Sequence, residues 1–267
     1  MGLMKKALED KSARHIVSFS GGKDSTALGI YMLETYPGLN LEFVFCDTGA
    51  ELKETYEYME RFEAIFGITI KRLNALEELG IREKRGRTPF DVYLKEYYGG
   101  FLPSPQARWC TRVLKIRPFE LEIGEDQAYS YIGIRADEQR TGYQQRKPVM
   151  FSSAPNIIPV YPFQEDGIGL EDVKSLLNDS GLGLPPYYKW RSRSGCYFCF
   201  YQQLGEWQGL KENHPDLFEK AKAYEKEENS RKYTWVNGRS LEDIKKLKKR
   251  YEIPSGEDLD GCAICHL

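Results

Sequence analysis

Two rhythms of apolar and polar residues alternate along this chain. Short apolar, β-branched or aromatic runs mark strands at Ile16–Phe19, Leu41–Cys46, Ile68–Arg72 and Ala128–Ile134. Between them, apolar residues recur at helical spacing over Thr26–Thr35 and Glu54–Phe66. A polar leading helix is expected within residues 1–14 and another helix over Leu170–Leu177. Residues 156–162 read as a proline-bounded extended segment, and residues 80–105 as less regular, with proline breakers at Pro103 and Pro105. Strands alternating with helices predict an α/β fold with a doubly wound, mostly parallel sheet. The Gly/Pro-rich stretch 181–186 places a boundary there. It separates a first domain, 1–185, from a small Cys-rich C-terminal helical region, 186–267, with helical stretches near 203–228 and 240–250.

Composition narrows the class. The 267 residues are enough for one large α/β domain and a small appendage, and 41% hydrophobic with 29% charged residues is the balance of a soluble globular protein. No apolar run approaches a membrane span, and the N-terminus lacks the apolar core of a secretory leader, so the expected location is cytoplasmic. A net charge of −2 argues against generic polyanion binding but allows a local basic groove. Six cysteines beside three histidines, His15, His214 and His266, point to thiolate metal ligands or redox groups rather than disulfides or a histidine metal site.

The most informative stretch follows the first strand. Ser20, Gly21, Gly22, Lys23, Asp24 and Ser25 lie between that strand and a helix. Strand, glycine turn and helix together make a phosphate cradle: glycines let the backbone approach the ligand, and the helix N-terminus offers N–H groups and positive potential. This is not a Walker loop, because Val17 stands where that pattern needs its first Gly and Asp24 follows the lysine. Asp47, Thr48 and Gly49 form a polar turn at the carboxyl end of the second strand, the edge where open α/β sheets bind ligands.

The six residues Ser20–Ser25 resemble the PP-loop, SGGxDS, of the N-type ATP pyrophosphatases. Adding Asp47-Thr48-Gly49 with Thr55, Cys110 with Lys115 and Pro118, Gly133 with Arg135 and Arg140, and Gly195-Cys196 with Cys199, most of the chain resembles the phosphoadenosine phosphosulfate (PAPS) reductase family. Within it, the chain looks most like the ATP pyrophosphatase subunits of DNA phosphorothioation systems. The resemblance implies an adenine nucleotide alpha hydrolase-like fold, ATP with Mg²⁺, and an iron–sulfur cluster. It also implies a nucleic-acid acceptor, a cysteine desulfurase or other sulfur-transfer protein as partner, and a homo-oligomer or complex subunit. Carried over residue by residue, Ser20, Gly21, Gly22, Lys23, Asp24 and Ser25 would hold pyrophosphate. Asp47, Thr48 and Gly49 would meet ribose, adenine or magnesium. Arg135 and Arg140 would clamp phosphate or sulfate oxygens bidentately, with Lys115 and Arg117 adding to that anion site. Lys23, Asp24, Arg135 and Arg140 are the catalytic candidates.

The cysteines allow two readings. In one, Cys110, Cys196 and Cys199 bind a [4Fe–4S] cluster with a fourth ligand from Cys262 or Cys265 or with an open iron site. In the other, Cys196, Cys199, Cys262 and Cys265 form a closed Zn²⁺ site and Cys110 is a free thiol. Cys46, inside an apolar strand, reads as a packed, inert thiol. The run Lys245–Arg250 reads as a solvated helix face or, alternatively, as phosphate contacts. The aromatics from Tyr187 to Tyr201 read as packing or cluster shielding rather than base stacking. Together these features lead to an enzyme that uses ATP, with pyrophosphate release, to drive sulfur transfer to nucleic acid. The alternatives are a reductase of PAPS or adenosine phosphosulfate, and a non-catalytic nucleotide-sensing module.

Overall fold

A computed structural model describes residues 2–81, 86–138, 154–228 and 231–253. Five strands, β1 (Arg14–Ser18), β2 (Leu41–Asp47), β3 (Ile70–Asn74), β4 (Ala128–Tyr131) and β5 (Ile157–Val160), form one sheet in the order β3-β2-β1-β4-β5. Every neighbouring pair is parallel, as the alternation of strands and helices predicts. β1 is the central strand, with four of its five residues buried, the polar His15 and Ser18 among them, so its burial is continuous rather than alternating.

Helices α1 (Leu3–Glu9), α2 (Lys23–Thr35), α3 (Lys53–Phe66), α4 (Arg117–Ile123) and α5 (Leu170–Asp179) accompany the sheet. α3 presents Thr55, Tyr58, Met59 and Phe62 inward, the helical stripe visible in the sequence. α2 starts at Lys23, ahead of the apolar periodicity. Its first turn buries polar Lys23, Asp24, Ser25 and Thr26, so hydrophobic spacing gives no sign of it. β3 runs over 70–74 because its register against β2, from Phe43↔Ile70 to Asp47↔Asn74, decides its limits. β4 stops at Tyr131, where it is still paired with Val17 of β1 and Val160 of β5. Within 80–105, Thr88 and Asp91 form a capping box that starts a helix at Pro89–Val92, continued by a wider turn over Tyr93–Tyr97.

Two large buried clusters matter for the site. One lies between the sheet and helices α2, α3 and α5, around Phe19, Phe43, Phe62 and Phe163. The other is rich in aromatics and joins Ala50, Leu52, Phe90 and Trp109 to Tyr187, Trp190, Phe198, Trp207 and Trp235. Residues on both sides of position 185 therefore share one core. The 203–228 stretch divides into α6 (Leu204–Asn213) and α7 (Pro215–Ala223), because Pro215 begins a new helix at its first position. Only Leu241–Lys245 of the 240–250 stretch is helical. Among the described residues, no helix is long and apolar enough to cross a membrane.

In this strand order the chain runs outward from β1 through β2 to β3, then returns to β4 on the other side. The crevice at the carboxyl ends of β1 and β4 is thus a topological switch point, the place where open α/β sheets bind ligands.

Candidate nucleotide loop and cysteine cavity

The loop after β1 lies in that crevice. Gly21 has φ +68°, a left-handed conformation that favours glycine. Gly22 precedes α2, whose N-terminus has no side-chain cap, so its dipole faces the loop. The loop is braced from within: the Ser20 backbone N–H donates to Ser25 Oγ at 3.1 Å, the two hydroxyls lie 3.0 Å apart, and Ser25 Oγ donates to the Gly22 carbonyl at 3.2 Å.

A chain of charges crosses the crevice. Lys23 Nζ donates to Asp24 Oδ2 at 2.9 Å, and Arg135 Nη1, beyond the end of β4, donates to Asp24 Oδ1 at 2.8 Å. Arg135 also reaches Asp137 through Nε at 2.9 Å. Lys23, Asp24 and Arg135 are all buried. Burial works against the charge on Lys23, but the facing Tyr188 and Asp24 outweigh it and hold the ammonium above its ordinary pKa. Arg135 is therefore a brace on Asp24. Arg140 lies outside the described residues.

The turn after β2 is equally ordered. Asp47 Oδ1 accepts from the Gly49 N–H and the Tyr56 hydroxyl, both at 2.7 Å. Thr48 Oγ1 donates to Glu51 Oε1 at 2.7 Å. Glu51 is a buried carboxylate, raised in pKa by burial and then by Asp47. It also lies 3.9 Å from Cys196 Sγ, which approaches Thr48 Oγ1 at 3.3 Å. Glu51, two residues beyond the Asp47-Thr48-Gly49 turn, is a site residue that the motif alone does not mark; its nearness to that turn is the signal the sequence offers.

The C-terminal region closes over the loop. Tyr187 donates its hydroxyl to the Gly21 carbonyl at 2.9 Å, and the Lys23 N–H donates to Tyr188 Oη at 3.2 Å. Ser194 Oγ sits 3.4 Å from Ser20 Oγ. These contacts escaped the sequence because they join residues far apart in the chain. The segment carrying Ser194 is held by buried groups. Arg191 donates to the carbonyls of Gly195 and Cys196 at 2.9 and 2.7 Å, and Glu206 accepts from Ser192 N–H and Oγ at 2.8 and 2.6 Å.

On the far side of Ser194 is a cavity of about 40 Å³. Cys110, Cys196 and Cys199 all line it, together with Thr48, Lys115 and Arg193. Burial pushes the Cys110 thiol up to about 12, with Cys199 adding to the shift, and burial raises Cys196 as well; Lys115 opposes both shifts. A bound cation would reverse this and favour thiolates. Among the described residues, no three His, Cys, Asp or Glu side chains converge on a single metal ion. Cys110, Cys196 and Cys199 nonetheless share the wall of one cavity, so they are the thiol donors that a cluster bound there would use. Cys262 and Cys265, and with them the closed zinc site, lie outside the described residues. Cys46 is buried within β2 and is pushed up to about 12 by burial, as expected of an inert thiol.

Two other sequence features resolve into packing. Tyr187, Trp190, Tyr197 and Phe198 belong to the second core. Within the basic run, Lys245 pairs with Glu219, Lys246 with Glu242 and Arg250 with Glu212. That pairing favours a solvated surface over a phosphate-binding patch, although only Lys245 of the run is helical.

The family model for the phosphoadenosine phosphosulfate reductase domain matches residues 14–208. Two relatives come from Methanocaldococcus jannaschii. Uncharacterized protein MJ0066 is 30% identical over 226 residues, covering 82% of this chain and 43% of the relative. Uncharacterized protein MJ0973 is 27% identical over 211 residues, covering 76% and 45%. The chain spans less than half the length of these two curated relatives. Among solved structures, a phosphoadenylyl-sulfate (PAPS) reductase from Candida auris, in a phosphate complex, matches with a TM-score of 0.45 at 15% identity, covering 70% of this chain and 81% of that one. The U34-tRNA thiolase NcsA from Methanococcus maripaludis, with its [4Fe–4S] cluster, matches with a TM-score of 0.47 at 17% identity, covering 80% and 71%. With its family model running from β1 through the loop after β1, both cysteines of the Cys196–Cys199 pair and into α6, the chain belongs to the phosphoadenosine phosphosulfate reductase domain family.

Proposed function

We propose that this protein is a PP-loop enzyme that binds ATP, with Mg²⁺, and releases pyrophosphate to drive transfer of sulfur to a nucleic-acid acceptor. The observation that carries this reading is the shared wall. Ser194 touches the nucleotide loop at Ser20 and also lines the cavity of Cys110, Cys196 and Cys199. Activation at the loop and sulfur handling at the thiols would thus occur side by side.

In this reading an oxygen of the acceptor attacks the α-phosphorus of ATP, the bond to the bridging oxygen of the β-phosphate breaks, and pyrophosphate leaves. Gly21, Gly22 and the N-terminus of α2 hold the β,γ-phosphates, and Lys23 neutralises charge on the leaving group. Asp24, fixed between Lys23 and Arg135, orients the lysine. Hydrolysis of ATP, with water as the attacking group, is the simpler variant of the same chemistry. Cys110, Cys196 and Cys199 are the residues that would hold a [4Fe–4S] cluster. Bound there, it would supply a site for sulfur ligation. A cysteine desulfurase or another sulfur-transfer protein is the partner this chemistry calls for.

The test is pyrophosphate release from ATP with acceptor and partner proteins present, measured for the wild type, Lys23→Ala and Cys110→Ala. The reading predicts release that Lys23→Ala abolishes, and sulfur incorporation that Cys110→Ala abolishes. If the wild type releases no pyrophosphate yet forms sulfite from PAPS or adenosine phosphosulfate with a thiol reductant, the enzyme is a reductase instead.

A further inference from the structure

We propose that the Nε/Nη2 edge of Arg193 is the receptor for a phosphoryl oxyanion held between the nucleotide loop and the cysteine cavity. This rests on the proposed function and deepens it: the group bound there is a phosphate of the acceptor, separate from the pyrophosphate of ATP.

The first observation is chemical. Arg193 Nε and Nη2 are both buried, and neither has a hydrogen-bond partner. Buried polar groups are ordinarily paired, and leaving a charged one unpaired is costly. These two N–H groups lie on one edge of the guanidinium and form a fork. Arg14 uses the same pair of atoms to hold a two-oxygen group: Nε donates to Glu42 Oε1 at 2.9 Å and Nη2 to Glu42 Oε2 at 2.6 Å. A phosphate presents two non-bridging oxygens with matching geometry.

The second observation is position. Arg193 lines the cavity with Cys110, Cys196 and Cys199, and the next residue, Ser194, contacts Ser20 of the nucleotide loop. The buried Lys115 contributes a second cation to the same wall. An oxyanion on this fork would lie next to both the activating loop and the thiols.

The third is rigidity. The Arg193 guanidinium lies 5.0 Å from the centre of the Tyr201 ring. Its segment is tied down on one side by Arg191, bonded to Gly195 and Cys196, and on the other by Glu206, bonded to Ser192. A fork fixed in advance loses little freedom when it binds.

The test measures equilibrium binding of inorganic phosphate, a thymidine dinucleotide phosphodiester and ATP by calorimetry. It uses the full chain as wild type, Arg193→Ala, Arg193→Lys and Lys23→Ala. Arg193→Lys keeps the charge but loses the fork, and it serves as the working variant if Arg193→Ala does not fold. Both Arg193 variants are expected to lose at least about tenfold in affinity for the oxyanion, with ATP affinity within about twofold of wild type. Loss confined to the dinucleotide assigns the site to an acceptor phosphodiester; loss confined to inorganic phosphate assigns it to a free oxyanion. Phosphate and dinucleotide binding equal in wild type and Arg193→Lys, or absent from the wild type, overturns the proposal. Lys23→Ala separates the two readings: it should lose ATP and keep the Arg193-dependent anion. Arg193-dependent anion binding by a wild type that does not bind ATP would leave the subsite standing and sink the nucleotide reading.

Discussion

Arg135 Nη1 donates to Asp24 Oδ1 at 2.8 Å, and both side chains are buried. The pair joins the end of β4 to the start of α2, so the two sides of the switch-point crevice are locked by one charged contact. Arg135→Ala would leave Asp24 buried with less compensation, and breaking such a pair by removing one partner costs about 3–5 kcal/mol. Chemical denaturation should show a loss of that order. Asp24→Asn combined with Arg135→Met should cost less than Arg135→Ala alone. Equal losses in the two variants would mean that the pair is not coupled.

Gly133 makes the same crevice possible sterically. A Cβ there would meet the Asp24 carbonyl oxygen at 2.8 Å, a backbone atom that cannot swing aside. Gly133→Ala should destabilise the protein by about 1–3 kcal/mol and weaken ATP binding. Gly38→Ala, with nothing within 4 Å, is the neutral control. A Gly133→Ala protein with wild-type melting and ATP affinity would contradict the close packing of β4's end on α2.

Gly22 tests the contact between the C-terminal segment and the nucleotide loop. Its added Cβ would fall 2.4 Å from Ser194 Oγ and 2.8 Å from Ser194 Cβ. Gly22→Ala should therefore lower ATP affinity by about tenfold or more, and adding Ser194→Gly should restore much of it. Without that rescue, the loss would come from the loop alone.

For the thiols, metal and acid-labile sulfide should be measured after anaerobic purification. Iron and sulfide in near-equal amounts are expected in the wild type and in Cys46→Ala. Loss is expected in each of Cys110→Ala, Cys196→Ala and Cys199→Ala. Zinc without iron, undisturbed by Cys110→Ala, would instead favour the closed site with Cys262 and Cys265.

Asp91 links the C-terminal region to the rest of the chain and makes stability pH-dependent. Burial opposes its ionisation, but hydrogen bonds from the Thr88 N–H, the Tyr224 hydroxyl and the Thr88 hydroxyl, with Lys220 nearby, outweigh it and hold its pKa below the ordinary carboxylate value. Because the folded-state pKa is the lower one, this stabilisation is complete above about pH 4 and drains away as pH falls through the folded value. Asp91→Asn should lower stability at pH 7 by about 1–3 kcal/mol, with the difference from wild type narrowing in acid. A difference that stays constant down to about pH 2 would contradict the linkage.

The sheet and the nucleotide loop can be read along the chain. β2 and β4 are mostly apolar or aromatic, β1 and β3 are marked by Ile16-Val17 and by Ile70, α3 carries a clear helical stripe, and Ser20–Ser25 is a contiguous motif whose conformation follows from its glycines and the helix after it. These are local properties, carried by neighbouring residues, so they can be read along the chain. The start of α2 could not be read that way, because Lys23 and Asp24 are buried for charge pairing rather than for hydrophobicity. Folding in three dimensions is what brings Cys110 to the cavity of Cys196 and Cys199, closes Ser194 and Tyr188 over the loop, sets Arg135 against Asp24, and leaves a buried fork of Arg193 unpaired. These arrangements depend on how segments distant in sequence pack together, and a one-dimensional pattern does not encode which polar groups that packing pairs and which it leaves unpaired.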